Sequence, residues 1–236
     1  MSSGKSEATL TIDGAPVPVL IRRYVRARGY RLRYDAGNRR LLLSVPARGA
    51  LKPALFWAQT QEEWVRAQMR KAPDALLLKP GAVVPVEGVE RRIHWDRSFP
   101  RLPRLTGDAV QVGGPEDQVG ARVLRWLRAH ALATLTRETQ EIAARENLRV
   151  TSIRTGDPRS RWGSCTVDGA IRYSWRLILA PPEVRRATVA HEVAHLLHMD
   201  HSPAFHAAHA RLLGQDPAPA RHWLRTHGTA LHRIGA

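Results

Sequence analysis

The stretch at residues 181–205, PPEVRRATVAHEVAHLLHMDHSPAF, contains the helix signals that organise the C-terminal half of the chain. The proline pair at its start suits the first turn of a helix, and Glu183 stands where the helix dipole favours a carboxylate. We therefore predict a helix from residue 182 to about residue 199. Ser202 and Pro203 repeat the start signal, as an N-cap and a first helical residue, so a second helix follows.

The first of these helices carries His191 and His195 on either side of Glu192, in the arrangement H-E-x-x-H. Residues four apart on a helix differ by about 40° in direction and by about 6 Å in height, so the two imidazoles project from one face. Two such imidazoles can share one tetrahedral ion, and the arrangement is typical of zinc hydrolases. Glu192 does not ligate the ion in this interpretation; it is the candidate general base.

A catalytic zinc ion usually takes three protein ligands and leaves a fourth position for water or substrate. His201 is the best third candidate, because the short turn between the two predicted helices can bring it back towards the ion. The predicted metal ligands are therefore His191, His195 and His201, around one zinc ion. We interpret His206 and His209 as surface residues or as neighbours of the ligands, not as rival ligands.

The oxyanion formed during hydrolysis needs a stabilising group besides the metal. Tyr173, His198, His206 and nearby arginines are all chemically able to provide it, and the sequence does not choose among them.

A hairpin is predicted just before the metal helix, with strands at about 161–166 and 170–179 around an Asp-Gly turn. Gly163 fits a bulge or a close approach of the backbone, Trp162 fits core packing, and Cys165 fits a small buried hydrophobe. In zinc peptidases an exposed strand edge commonly pairs with an extended substrate, which favours a polypeptide substrate here. An ordinary internal strand at 171–179 is an equally good interpretation.

The N-terminal half is predicted to be rich in strands. An antiparallel meander is expected, with turns at Asp13-Gly14 and at residues 36–38. A single helix containing Pro53 follows and ends before Pro73, and its aromatic residues are predicted to lie in the core. The predicted strands cover residues 9–12, 17–21, 30–34 and 41–45, and the predicted core aromatics include Phe56, Trp57 and Trp64.

The middle of the chain begins with a predicted hairpin at residues 82–95, around Glu87-Gly88. A looser, proline-bearing stretch at 100–115 follows, and then a long helix at 118–147 with apolar residues near a 3.6-residue period. The stretch at 100–115 predicts a boundary between a β-rich N-terminal region with one helix, residues 1–115, and a C-terminal domain, residues 116–236.

Composition bounds the class of protein. The net charge is +16 and 33 of the 37 basic residues are arginine, but these are spread along the whole chain. Codon preference explains this spread better than a nucleic-acid interface does, although an interface remains an alternative. A single cysteine, a polar N-terminus and the lack of a membrane-length apolar run favour a cytoplasmic protein without membrane contact.

Four motifs together resemble the YgjP-like predicted metal-dependent hydrolases, a family related to the SprT and WLM zinc peptidases. They are SRWGSC at 160–165, SWRL at 174–177, HEVAH at 191–195 and HSPAF at 201–205. The resemblance implies a zincin-like catalytic core with three histidines on zinc and Glu192 as the catalytic residue. The family usually has Trp where this chain has His206.

The spacing of the three histidines also resembles that of the metzincin proteases, but this assignment is rejected. Position 198 is His where metzincins carry Gly, and no methionine follows Met199, so their Met-turn is absent.

The sequence thus predicts an α+β fold, with a β-rich N-terminal half followed by a zincin-like helical metallopeptidase core with a small antiparallel sheet. The expected activity is zinc-dependent hydrolysis of peptide bonds. Three alternatives stay open: a DNA-associated SprT-like protease, a non-catalytic zinc-bearing interaction module in which Glu192 is a surface charge, and an amidase acting on small molecules.

Overall fold

The computed structural model describes residues 5–35, 40–71, 76–158 and 160–235. The chain divides into two compact units, residues 1–75 with residue 236, and residues 76–235. This division comes earlier than the boundary predicted at 115/116. The reason is packing: valines on the strands before residue 115 share one hydrophobic core with the long helix that follows it. The predicted turn at 36–38 and the predicted helix end at Pro73 lie outside the described residues.

The N-terminal unit contains a four-stranded sheet with the order β1-β2-β4-β3. The predicted strands are all present, but the predicted meander is wrong, because β2 and β4 pair in parallel. Two antiparallel hairpins, β1-β2 and β3-β4, are thus joined side by side. The strands are β1 (Lys5–Ile12), β2 (Ala15–Tyr24), β3 (Arg31–Asp35) and β4 (Arg40–Pro46).

Two helices, α1 (Leu51–Thr60) and α2 (Glu62–Lys71), replace the single predicted helix. Ala54 and Ala58 of α1 are fully buried in the core of this unit. Phe56 lies between them in sequence, about 200° away from each around the helix, and its side chain is 74% exposed. The prediction of a core aromatic is therefore wrong for Phe56.

The larger unit begins with a four-stranded sheet of order β5-β6-β8-β7. Its first two strands form the predicted hairpin, and both turn residues, Glu87 and Gly88, have positive φ angles, as a two-residue hairpin turn requires. The stretch at 100–115 holds two short strands that the sequence analysis did not predict. The strands are β5 (Val83–Val86), β6 (Val89–Trp95), β7 (Arg104–Thr106) and β8 (Ala109–Val112).

The predicted long helix is α3 (Val119–Arg145). Glu138 on α3 is buried and pairs with the buried Arg185, whose guanidinium donates to both carboxylate oxygens at 2.8–3.1 Å. A buried, hydrogen-bonded pair of this kind fixes the register of two packed helices, because breaking it leaves an uncompensated charge. It therefore holds α3 against the helix that carries the H-E-x-x-H motif.

A three-stranded sheet of order β10-β11-β9 lies beside that helix. Its strands are β9 (Ser152–Gly156), β10 (Gly163–Cys165) and β11 (Ala170–Ser174), and a 3₁₀ helix at Trp175–Leu179 follows. The sheet is mixed and not antiparallel as predicted, because β9, absent from the prediction, pairs with β11 in parallel. β11 is consequently an interior strand, and β10 is an edge.

Three helices complete the unit: α4 (Pro182–Ala194), α5 (Pro203–Leu213) and α6 (Ala218–Leu231). α4 is shorter than predicted, and α6 was not predicted. The fold class is α+β, as the sequence indicated, with helices concentrated in the C-terminal part. Among the described residues, no helix combines the length and the apolar character that crossing a membrane requires.

Candidate metal centre

The structure brings the three predicted ligands together. His191 lies on the last turn of α4, His195 caps its C-terminus, and His201 lies in the turn before α5. One ring nitrogen from each residue falls within 4.8 Å of the other two. Three imidazoles from an eleven-residue stretch, 191–201, therefore converge on one point.

The turn that returns His201 is built from short-range hydrogen bonds. The backbone N–H of His198 donates to the carbonyl of Ala194 at 3.0 Å, which closes the end of α4. The carboxylate of Asp200 accepts from the backbone N–H of Ser202 at 3.2 Å, which bends the chain immediately around His201. His201 is thus held between the end of one helix and the start of the next.

The separation of two of the ring nitrogens fits a tetrahedral zinc ion. The Nε2 atoms of His191 and His201 are 3.3 Å apart, and two ligands at a Zn–N distance of 2.0–2.1 Å in a tetrahedron would be about 3.3–3.4 Å apart. Nδ1 of His195 lies 3.1 Å from the carbonyl oxygen of His198, which can only accept, so Nδ1 carries the proton. The Nε2 lone pair of His195 is therefore available for a metal.

The protonation states of His191 and His195 also suit ligation. Burial, with a smaller contribution from the neighbouring histidines, lowers the pKa of His191 to about 3. Burial also lowers the pKa of His195. Neutral imidazole is the form that binds a metal.

The ring of Phe205 packs against all three imidazoles. Its side chain is fully buried on the first turn of α5, and its ring centroid lies 4.9, 4.6 and 4.7 Å from those of His191, His195 and His201. From the sequence alone, Phe205 has no predicted role beyond its place in the HSPAF motif. Its position three residues after the N-cap, on the inward face of α5, is the signal that could have found it.

The side chain of Glu192 packs against the edge strand β10. It is 4% exposed, and burial raises the pKa of its carboxyl to about 8, although Arg161 opposes the shift. A methyl group placed on Gly163 would lie 2.6 Å from both Cγ and Cδ of Glu192. The close backbone approach expected at Gly163 is confirmed, and it makes room for this carboxylate.

Two of the candidates for stabilising the oxyanion, Tyr173 and His206, differ in their exposure. Tyr173 is fully buried, and its hydroxyl forms a hydrogen bond with the hydroxyl of Thr139, 3.0 Å away, so it is not available to a substrate. The cause is the alternation of side chains along β11, which places Tyr173 and Ile171 on the face that packs in the core and Arg172 on the exposed face. His206 is exposed on α5, with its ring centroid 6.4 Å from that of His201.

His209 is a buried neighbour of the site and lies outside the group of three. Its Nε2–H donates to the carbonyl of Ala187 at 3.0 Å, and its ring stands edge-on to His191 at 5.2 Å. This placement agrees with the interpretation of His209 as a neighbour of the ligands.

The residues around Gly163 are partly buried. Trp162 packs against the core and stacks on His232 at 5.0 Å. Cys165 is half-buried, and burial, with smaller contributions from Glu192 and Asp168, raises the pKa of its thiol to about 11. Cys165 therefore stays a protonated thiol at neutral pH, in agreement with its interpretation as a small hydrophobe.

A cavity of about 230 Å³ opens beside Glu192. It lies among β10, α4 and α6, so the unpredicted helix α6 forms one wall of the site. The proline pair at positions 217 and 219, followed by leucines at 224 and 231, is the signal that could have located α6. The residues that line the cavity include Arg161, Trp162, Glu192, Arg221 and Leu224.

Comparison with known proteins gives one match. A family model described as YgjP-like, metallopeptidase domain, matches residues 28–227. No curated protein and no solved structure matches the chain significantly. The matched part is well over half of the chain and includes the three imidazoles and Glu192. The chain therefore belongs to the YgjP-like metallopeptidase family, and its activity is that of a metal-dependent peptidase.

Proposed function

We propose that this chain hydrolyses peptide bonds with one zinc ion held by His191, His195 and His201, and with Glu192 as the general base. The observation that carries the proposal is the convergence of three ring nitrogens within 4.8 Å, beside a buried carboxylate on a cavity wall. Neutral imidazoles, with no thiolate in the group, suit zinc among the common transition ions. When bound, zinc supplies a Lewis acid for the carbonyl and lowers the pKa of water to about 7.

Glu192 has the position and the proton affinity that a general base needs. Its carboxyl is buried against Gly163, which raises the pKa to about 8, close to the range in which proton transfer is efficient. Glu192 takes the proton of the attacking water and afterwards delivers it to the leaving amine nitrogen. The burial of Glu192 argues against the alternative of a non-catalytic module in which this residue is a surface charge.

The sheet edge beside the site suits a polypeptide substrate. β10 is the edge strand, and Gly163 on it contacts Glu192. An extended peptide can pair with such an edge through its backbone. Of the two interpretations of the strand at 171–179, the ordinary internal strand fits β11, and the exposed edge is β10 instead. Nucleic-acid binding stays a prediction that rests on the net charge of +16.

The test is a cleavage assay on a mixture of unfolded polypeptides, with new chain ends identified by mass spectrometry. We expect cleavage by the zinc-loaded protein, its loss on treatment with a chelator and its return when zinc is added back. Absence of cleavage of every polypeptide by a protein shown to contain one zinc ion per chain would refute the proposal.

Gly163→Ala is expected to lower kcat by about 10- to 100-fold without loss of zinc, because small displacements of catalytic groups cost about that much. The added methyl group would collide with Cγ and Cδ of Glu192 at 2.6 Å and push the carboxylate away. The measurements are kcat on a cleaved peptide and the zinc content. Ser164→Ala, one residue along the same strand, is the matched control; equal activity of the two variants would contradict the prediction.

A further inference from the structure

The cavity beside Glu192 combines apolar walls with positive charge at its opening. Trp162, Ala187, Ala220 and Leu224 provide apolar surface, and Arg161 and Arg221 are both exposed at the cavity. A second cavity of about 630 Å³ shares Trp162, Arg221 and Leu224 with the first and adds Arg225. Arginines thus border two adjoining cavities, here together called the groove, and the first of them lies next to the catalytic carboxylate.

The two arginines come from two different elements that line the first cavity. Arg161 lies two residues before the edge strand and is close enough to Glu192 to act on its pKa. Arg221 is on the first turn of α6 and acts on the pKa of His209. A group that enters the cavity therefore meets two positively charged side chains.

Neither guanidinium has a carboxylate within ion-pair distance among the residues that the structure describes. This differs from several other arginines of the same unit. Arg211 pairs with Glu146 at 3.1 Å, and Arg186 pairs with Glu141 at 3.2 Å. Among the described residues, Glu192 is the one acidic side chain that lines the cavity. A ligand carboxylate in the cavity would give both guanidinium groups a partner of opposite charge.

We propose that Arg161 and Arg221 form a carboxylate-binding subsite that makes this peptidase selective for acidic peptides. The inference rests on the proposed function and names its substrate class. The carboxylate has two possible sources: the side chain of Asp or Glu near the scissile bond, or the free C-terminus of the peptide. Guanidinium groups bind either one through paired N–H donors, while the apolar walls contact the adjoining carbon chain.

Hydrogen bonds to charged groups contribute enough free energy for a clear selectivity. We expect kcat/KM for a Glu-containing peptide to exceed that of its Gln analogue by about 10- to 100-fold. The parent peptide is a member of an acidic peptide library that the protein cleaves. Its Glu and Gln versions are each made with a free and with an amidated C-terminus. Selectivity for Glu over Gln identifies a side chain as the source, and selectivity for the free acid over the amide identifies the C-terminus.

The double variant Arg161→Gln/Arg221→Gln tests the assignment. We expect the ratio of its kcat/KM for the acidic peptide to its kcat/KM for the amide to fall to about one. The control variant Arg125→Gln changes an exposed arginine of α3 outside both cavities, and it is expected to keep the ratio of the unaltered protein. A double variant that loses activity on all peptides but retains the ratio would overturn the proposal, since it would make these arginines stabilisers of the reaction itself. Equal kcat/KM for acid and amide in both pairs would overturn it as well.

Binding provides a readout that does not need turnover. In a Glu192→Gln background, fluorescence anisotropy of labelled peptides gives Kd for the acidic and the neutral members of each pair. The acidic member is expected to bind about 10-fold more tightly or better. Equal Kd values would refute the subsite. A difference in Kd without any Glu192-dependent cleavage would instead refute the proposed function and leave the subsite supported.

Discussion

The Glu192→Gln variant is expected to retain one zinc ion per chain and to lose about 100- to 10,000-fold in kcat, the range that general acid–base groups contribute. Glutamine has nearly the same shape as glutamate, so it can occupy the same buried space against Gly163. It has no carboxylate to accept a proton from the attacking water. Zinc content is expected to be unchanged, because Glu192 is not part of the group of three imidazoles. The measurements are kcat on a cleaved peptide and metal analysis of the purified protein.

Glu183→Gln is the matched control for this substitution. Glu183 lies on the first turn of the same helix, is exposed and does not line the cavity. It is expected to leave both kcat and zinc content close to those of the unaltered protein. Full turnover of Glu192→Gln would remove the general base from the mechanism. Loss of zinc from Glu192→Gln would show that Glu192 ligates the ion, and the ligand set would then be wrong.

The features that the sequence predicts well are those encoded by short-range geometry. The hairpin at Glu87-Gly88 needs two positive φ angles in adjacent residues, and both are present. The pairing of His191 and His195 follows from the helical repeat alone. His201 was harder, because its direction depends on the turn between two helices. The hydrogen bond of Asp200 to Ser202 now explains that direction.

The features that the sequence did not predict depend on contacts between distant segments. In the described part of the chain three strand pairs are parallel, and no local turn signals such pairing. The consequence for the site is direct: β9 covers one side of β11, so the edge next to Glu192 is β10. The face of a helix is equally hard to choose where both faces carry apolar residues, which is why Phe56 was assigned to the core.

The two arginines at the groove also could not be brought together from the sequence. Arg161 and Arg221 are 60 positions apart, and 33 arginines are distributed along the chain. Only the packing of α6 beside α4 brings these two to one cavity. Charge counts from composition cannot separate a recognition site from a general excess of arginine, whereas the position of two arginines in the lining of one cavity distinguishes them from the rest.

His201→Ala is expected to weaken zinc binding by more than about 100-fold, since changing only the hydrogen-bonding partners of a zinc ligand already costs 10- to 100-fold. The side chain is exposed, so its removal should leave the fold intact. The measurement is a zinc titration in competition with a chromophoric chelator. Thermal unfolding gives a second readout, because a ligand that binds only the native state stabilises it in proportion to the logarithm of [L]/Kd. Added zinc should therefore raise the Tm of His201→Ala much less than that of the unaltered protein.

His206→Ala is the matched control, because His206, like His201, is an exposed histidine close to the site. Its ring centroid lies 6.4 Å from that of His201, and it is outside the group whose ring nitrogens converge within 4.8 Å. Zinc affinity of His206→Ala is expected to stay close to that of the unaltered protein. If His206→Ala loses zinc and His201→Ala keeps it, the third ligand comes from α5, and the turn that returns His201 has no role in metal binding.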